Sequence, residues 1–387
     1  MGWKVYRANS TARDSGLGSQ HSELVEHEQS ASDECGWMGE GMTAPLVSVI
    51  LSVRNGADSL PGAIDSILTQ TFTNFEFIIL NNGSTDGTAA ILDKLSDPRV
   101  RVVHQDNLGF GGSLNRGISI ARGRYVARQD HDDWAAPTRL EKQVSFLKMN
   151  FDFALIGTRA EIWVGDKRTG RVHDHPTEDA ALRFELLFNN PFVHSSVMMR
   201  KAALEQVGGY ATDPNRAPPE DYELWSRIAR KYRVANLPER LTVYREMEKS
   251  MSRDGIHPFL ARVVLISSEN LAAAVGEKAP RDCHRDIAAL THGAYGSISA
   301  RPDIEAMCAL IEKAGQAIHS TAPHSDVPDR VEFRIRNLRY GYGLYQQYSA
   351  LPAWLQRQTE ELRPLVSFLW RYSGLRWAMH GFRSPKT

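Results

Sequence analysis

The sequence has little cysteine: Cys35, Cys283 and Cys308 are the only three in 387 residues. An odd, widely spaced set of thiols makes neither a disulfide framework nor a zinc signature, and it favours a reducing compartment. Long apolar runs are also missing. No stretch reaches the roughly 18–20 residues needed to cross a bilayer, and the opening MGWKVYRANS lacks a hydrophobic signal core. Tyr6 stands where N-myristoylation of Gly2 would require Ser or Thr. Charge of one sign is not in excess, since Lys+Arg and Asp+Glu number 46 each. That balance gives no overall field for nucleic acid, which is not expected as a partner. The expectation is a cytoplasmic chain, soluble or peripheral on the inner face of the membrane.

Hydrophobic residues make up 42% of the chain, enough for one large core and a smaller second unit. Residues 1–44 are rich in Ser, Glu, His and Gly without an apolar period, and read as a disordered or loosely attached arm. At Pro45 the character changes. Val47–Leu51, Phe75–Leu80, Val100–His104 and Tyr125–Arg128 read as strands. Helical patterns fall between them at 60–68, 88–95 and 112–121. This alternation predicts an α/β fold with a mostly parallel, Rossmann-like central sheet flanked by helices. Ligands of such sheets sit beyond the C-terminal strand ends. Past residue 150 the alternation weakens. Phe151–Ile156 and Glu161–Val164 read as strands, and Ala180–Phe188 and Asp221–Tyr232 as helices. The predicted units are a catalytic domain at 45–255 and a mainly helical C-terminal region at 256–387, punctuated by Pro280, Pro302, Pro328, Pro352 and Pro364.

The most informative segment is Asp130-His131-Asp132-Asp133, directly after the fourth strand. Three carboxylates in four residues repel one another unless they are solvated or share a cation. Mg²⁺ and Mn²⁺ suit such oxygen ligands, with substrate phosphates completing the shell. An exposed acidic turn capping the next helix is the ordinary alternative for an isolated D-x-D. Its place at the end of a β-α-β-α-β-α-β run favours the metal reading. Glu220-Asp221 opens another helix behind Pro218-Pro219, where acids are common through capping and the helix dipole. The functional reading makes Asp221 a general base toward an acceptor hydroxyl.

Taken in order, these segments resemble the inverting family 2 glycosyltransferases of GT-A fold, over roughly residues 45–255. Val47-Ser48-Val49-Ile50-Leu51-Ser52-Val53-Arg54-Asn55 is similar to the family's first strand and nucleotide loop. Asn82-Gly83-Ser84-Thr85-Asp86-Gly87 resembles its D-G-S-x-D turn, and Asn107-Leu108-Gly109 with Leu114-Asn115-Arg116-Gly117 the stretch before the metal motif. Asp130-His131-Asp132-Asp133 stands for D-A-D-D. Asn190-Pro191-Phe192-Val193-His194 is similar to the acceptor-side segment. Gly208-Gly209-Tyr210, Glu220-Asp221 and Tyr244-Arg245 match the remainder.

The resemblance implies a nucleotide-sugar donor, with UDP the favoured nucleotide, and a glycan or lipid-linked acceptor in surface polysaccharide synthesis. Ser52, Arg54, Asn82 and Asp130 would line the nucleotide pocket. Asp132 with Asp130 would hold Mn²⁺ or Mg²⁺, and Asp221 would be the base of an inverting displacement. His194, Glu220 and Arg245 would face the acceptor or the diphosphate. Three positions depart from the family pattern: Asn81-Asn82 replaces an acidic pair, Arg54 replaces a Tyr, and Met247 a His. The first two bear on the base pocket, the third on a further metal ligand.

Residues 330–387 are rich in Arg and aromatics, and no acid follows Leu362. This composition suits either an amphipathic membrane-surface helix or a helix packed on the domain or a second copy. Other functions fit less well. Gly109-Phe110-Gly111-Gly112 has Leu114 where a dinucleotide fingerprint needs Gly. A sugar nucleotidyltransferase would carry a glycine-rich basic loop where Ser52-Val53-Arg54-Asn55-Gly56-Ala57 stands. A non-catalytic sugar-binding or scaffold protein would not need Asp130, Asp132 and Asp221 together.

Overall fold

The computed structural model describes residues 44–246, 256–352 and Gln356. All but Ala44 of the expected N-terminal arm lies outside the described residues, as do Met247 and the acid-free stretch after Leu362.

Strands β1 (Val47–Val53), β2 (Phe75–Asn82), β3 (Val100–Gln105) and β4 (Tyr125–Gln129) lie parallel in the order β3-β2-β1-β4. β1 and β2 are buried along their whole length, which is why they read as apolar runs rather than alternating patterns. Val49 and Leu51 point to the layer of α1 (Leu60–Leu68) and α4 (Arg139–Met149). Ile50 points the other way, to Leu114 and Ile118 of α3 (Phe110–Ile120). Gly117 is required there, because a Cβ would stand 2.6 Å from Ile50 Cγ2. The intervening α2 is short, Thr88–Leu92.

Beyond β4 the sheet becomes mixed. Antiparallel β8 (Met198–Arg200) joins β4 to β6 (Phe153–Val164), and β6 runs parallel to β9 (Arg233–Glu246). β5 (Trp134–Ala135) pairs with β9 and β7 (Lys167–His173) with β6, both antiparallel. The two strands expected at Phe151–Ile156 and Glu161–Val164 are one. Gly157–Ala160 keeps pairing with β9 through register shifts instead of turning. Helices α5 (Asp179–Glu185), α6 (Lys201–Val207) and α7 (Glu220–Ala229) cover this half.

The described part of the C-terminal region is helical: α8 (Ile256–Ala274), α9 (Asp282–His292), α10 (Ile304–His319) and α11 (Val327–Ser349). Its core mixes Ile287, Met307 and Ile311 with Phe184 and Phe188 from the sheet side, so the two regions share a hydrophobic interior. Among the described residues, no helix is long and apolar enough to cross a membrane.

At the lower edge of the sheet, Glu76 is buried to 3% exposure. It accepts hydrogen bonds from Ser48 Oγ (2.7 Å), Arg122 N (2.7 Å) and Arg122 Nε (3.0 Å). Burial opposes its charge, but these donors outweigh it and hold the carboxyl below its ordinary range. Its contribution is therefore complete above that range and lost as pH falls through the folded value. Glu76→Ala is expected to destabilise the fold by about 2–3 kcal/mol by orphaning the buried donors, read by denaturant unfolding.

Candidate active site

The strand order reverses between β1 and β4, and the crevice over that junction is where open α/β sheets bind ligands. The loop after β1 is stitched to the loop after β2. Asn55 N donates to Ser84 Oγ (3.0 Å), Thr85 N to Asn55 Oδ1 (2.8 Å), and Ala57 N to Asp86 Oδ2 (3.1 Å). Asn55 takes φ 56° to make this turn. Arg54 is left exposed at the rim. Ser52 and Asn82 lie deeper. Ser52 Oγ donates to Ser113 Oγ (2.8 Å), and Gln105 Nε2 bridges Ser113 Oγ and Asn82 Oδ1, at 3.0 Å each. The Asn82 amide also reaches Asn107 Oδ1 (3.3 Å), Gly109 O (3.1 Å) and Leu108 N (2.9 Å). Both residues thus support the loop ahead of α3, with their polar atoms turned inward. Asn81 is likewise engaged, with His104 Nδ1 (3.0 Å) and Ser84 N (3.2 Å).

The acidic motif leaves β4 at Gln129, whose side-chain amide donates to the backbone oxygens of Asp130 (3.1 Å) and Asp133 (2.7 Å). The three acids then diverge in role. Asp133 is 2% exposed; it accepts from Ser195 Oγ and, at 2.8 Å, from Arg245 N. It is a structural pin. Asp130 accepts from the buried Arg128 guanidinium. Burial works against its charge, but Arg128 prevails and the carboxyl is lowered. Asp132 is raised, first by burial and then by the Asp130 charge beside it. His131 makes a 2.9 Å hydrogen bond with Ser59 Oγ, tying the motif to the start of α1.

Two partly buried carboxylates in mutual repulsion are what a divalent cation relieves, and hard oxygen donors suit Mg²⁺ or Mn²⁺. Among the described residues no third His, Cys, Asp or Glu joins them. Asp130 and Asp132 are the carboxylates here that could hold such an ion.

Across the crevice, α7 presents Glu220 and Asp221. Asp221 Oδ2 accepts from Asn190 Nδ2 at 2.7 Å and Oδ1 from Tyr222 N at 2.7 Å. Burial pushes Asp221 up to about 6 and Glu220 up to about 7, each with a neighbouring acid adding to the rise. His194 lies within reach of the Asp130 charge. Its Nε2 meets Tyr210 Oη at 2.9 Å, and its ring packs edge-on to Phe110 and Trp225 at 5.8 Å each. Burial pushes it down to about 3, so it is a neutral imidazole at physiological pH. Tyr210 is held by Asn115, which bonds both its N and its O at 2.8 Å. Gly209, at φ 70°, makes room for that amide. Arg245 differs from its expected role. Its guanidinium stacks 4.8 Å from the Trp134 ring and binds Asp166 at 2.7 Å, leaving only its backbone amide at the motif.

The sequence profile of Glycosyl transferase family 2 matches residues 48–208. The O-antigen biosynthesis glycosyltransferase WbnJ of Escherichia coli is 30% identical over 219 residues, 54% of this chain and 84% of that protein. This chain belongs to glycosyltransferase family 2.

An uncharacterized glycosyltransferase of Haemophilus influenzae is 35% identical over 212 residues. That match covers 52% of this chain and 65%, just under two thirds, of the Haemophilus protein's length. In three dimensions this chain superposes on S. aureus TarS residues 1–349, crystallised in complex with UDP-GlcNAc, with TM-score 0.52 and 16% identity. The superposition covers 78% of this chain and 91% of that one, which establishes the shared fold.

Sequence reasoning gave no individual role to two residues of the candidate site. Arg128 is a charged residue inside a doubly buried strand, an anomaly that could have flagged it. Its guanidinium lies 5.2 Å from the Phe110 ring and lowers the charge burden of Asp130 and Glu220. Asn190 opens the acceptor-side segment, but its pairing with Asp221, 31 residues away, leaves no local signal. Arg128→Met is expected to weaken metal-dependent donor binding about tenfold or more, by leaving Asp130 buried without its cation. A Mn²⁺ titration of donor affinity measures it.

Proposed function

We propose that the enzyme transfers a hexose from a nucleoside diphosphate sugar to an acceptor hydroxyl in a single inverting displacement. The observation that carries this reading is Asp221, a half-buried carboxylate held by Asn190 and its own helix amide across one crevice from the Asp130–Asp132 pair. Asp221 accepts the proton of the acceptor hydroxyl as its oxygen bonds to the anomeric carbon. The bond from that carbon to the diphosphate oxygen breaks, and the nucleoside diphosphate leaves with the electron pair. Asp130 and Asp132 would hold Mn²⁺ or Mg²⁺, which when bound supplies Lewis-acid neutralisation of the leaving group. Arg128 keeps Asp130 ionised and oriented. His194, Tyr210 and Phe110 pack as an aromatic cluster beside Asp130 and Asp221, which would limit water around the reacting groups.

Arg54, exposed at the end of β1, would contact the nucleotide, with Ser52 and Asn82 supporting the facing loop ahead of α3. A UDP-sugar is the favoured donor and a glycan or lipid-linked acceptor the favoured partner, in surface polysaccharide synthesis. The similarity to an O-antigen biosynthesis enzyme supports that setting. The enzyme would work at the cytoplasmic membrane face, with the acid-free aromatic stretch after Leu362 against anionic lipid.

A panel of nucleotide sugars with Mn²⁺ or Mg²⁺ tests the reaction by product analysis. Metal-stimulated release of nucleoside diphosphate with glycosylated acceptor is expected. Release of pyrophosphate would make the protein a nucleotidyltransferase, and no turnover with any donor would leave it a sugar-binding protein.

A further inference from the structure

One residue of the C-terminal helices is built into the support of Asp221. Asn270 of α8 is 5% exposed and its amide has three partners. Nδ2 donates to Leu186 O at 2.7 Å and to Ser226 Oγ at 2.8 Å, while Oδ1 accepts from Arg230 Nη2 at 2.6 Å. Leu186 lies at the end of α5, in the turn that leads to Asn190. Ser226 lies on α7, the helix that opens with Glu220-Asp221.

We infer that Asn270 is a positioning residue that fixes the Asn190–Asp221 pair. The inference rests on Asp221 as the base. Asp221 depends on two segments, α7 for its own backbone and the α5 turn for the Asn190 donor. Asn270 bonds both from the opposite side. The joint is doubled, because Tyr222 Oη also donates to Leu186 O (2.9 Å) and Ser226 Oγ to Tyr222 O (2.7 Å). Ser267, one turn earlier on α8, donates to Leu187 O at 2.6 Å. A second tie binds the loop before α7: Arg216 forks onto Glu269 at 2.8 and 3.1 Å. Apolar packing alone lets helices slide, whereas directional bonds between buried groups fix one register. The helical region thereby sets how far the Asn190 amide stands from the Asp221 carboxylate.

Asn270→Asp keeps the volume and the Arg230 contact but removes both N–H donors. It is expected to lower kcat by about 10- to 100-fold, the scale of misplacing a reacting group by about 1 Å, with donor KM within about twofold of wild type. The acid limb of its rate profile should move upward as Asp221 loses its Asn190 donor. In the crystal structure of the variant, the 2.7 Å Asn190–Asp221 bond should be broken. Asp286→Asn is the comparison. It weakens the buried acid that binds Ser299 within the same helical region at 2.7 Å, and should lower thermal stability without changing kcat. If Asn270→Asp does not accumulate folded, Ser226→Ala removes two bonds of the joint, those to Asn270 and to Tyr222 O, and is judged by the same measurements. A kcat within about twofold of wild type, or an intact Asn190–Asp221 bond in the variant crystal, overturns the proposal. Absence of donor turnover in the wild type would instead remove the base assignment, and the crystal structure would still decide the positioning.

Discussion

Asp221→Asn is expected to reduce transfer by roughly 10²–10⁴-fold, the range supplied by a positioned general base, while leaving donor and metal binding intact. The amide keeps the shape and can still meet Tyr222 N, but it cannot accept the acceptor's proton. The wild-type pH profile gives an independent reading of the same group. A base works in its ionised form. A carboxyl lifted by burial from 3.8 to about 6 therefore loses activity as pH falls below about 6, well above the ordinary carboxylate range. Glu220, raised to about 7 beside it, titrates in the same window and broadens the limb. Isothermal binding of the donor together with initial rates from pH 5 to 8 separates the outcomes. A variant that transfers sugar at the wild-type rate, or a profile flat down to pH 5, removes Asp221 as the base.

Asp132→Ala should lower turnover by on the order of 10²–10³-fold, the scale of removing one preorganised electrostatic group, and should abolish stimulation by Mn²⁺ or Mg²⁺. Asp132 is the sharper test than Asp130, which also anchors Arg128 and so entangles charge with packing. The Asp133→Asn variant should behave differently. Its side chain is spent on Ser195 and Arg245, so stability suffers before metal response does. Thermal unfolding alongside metal titration distinguishes the two acids. Unchanged metal dependence in Asp132→Ala would dismiss the proposed cation site.

What could be read from the chain alone follows from where its signals are local. β1 and β2 are buried on both faces and announce themselves as apolar runs. β7, KRTGRVH, is a polar margin strand with a glycine, and β9 carries Pro238 and several charges, so neither shows a strand period. Asp130 and Asp132 stand out in the sequence by their place after a β-α-β-α-β-α-β run, whereas Asp221 opens a helix as acids commonly do and stands out only beside that first cluster. Ser52 and Asn82 sit at strand ends too, but whether an amide or hydroxyl faces a ligand or a neighbouring loop depends on residues 25 to 61 positions away. For the same reason the guanidinium of Arg245 could not be assigned a face, and Arg128 and Asn190 were passed over.

The pin at Asp133 joins segments 112 residues apart, since it holds the amide of Arg245. A nascent chain emerging from the ribosome therefore carries its whole acidic motif long before that motif can be locked in shape. Sugar-nucleotide capture should begin only once β9 has been made, so half-finished chains would not occupy donor while translation continues.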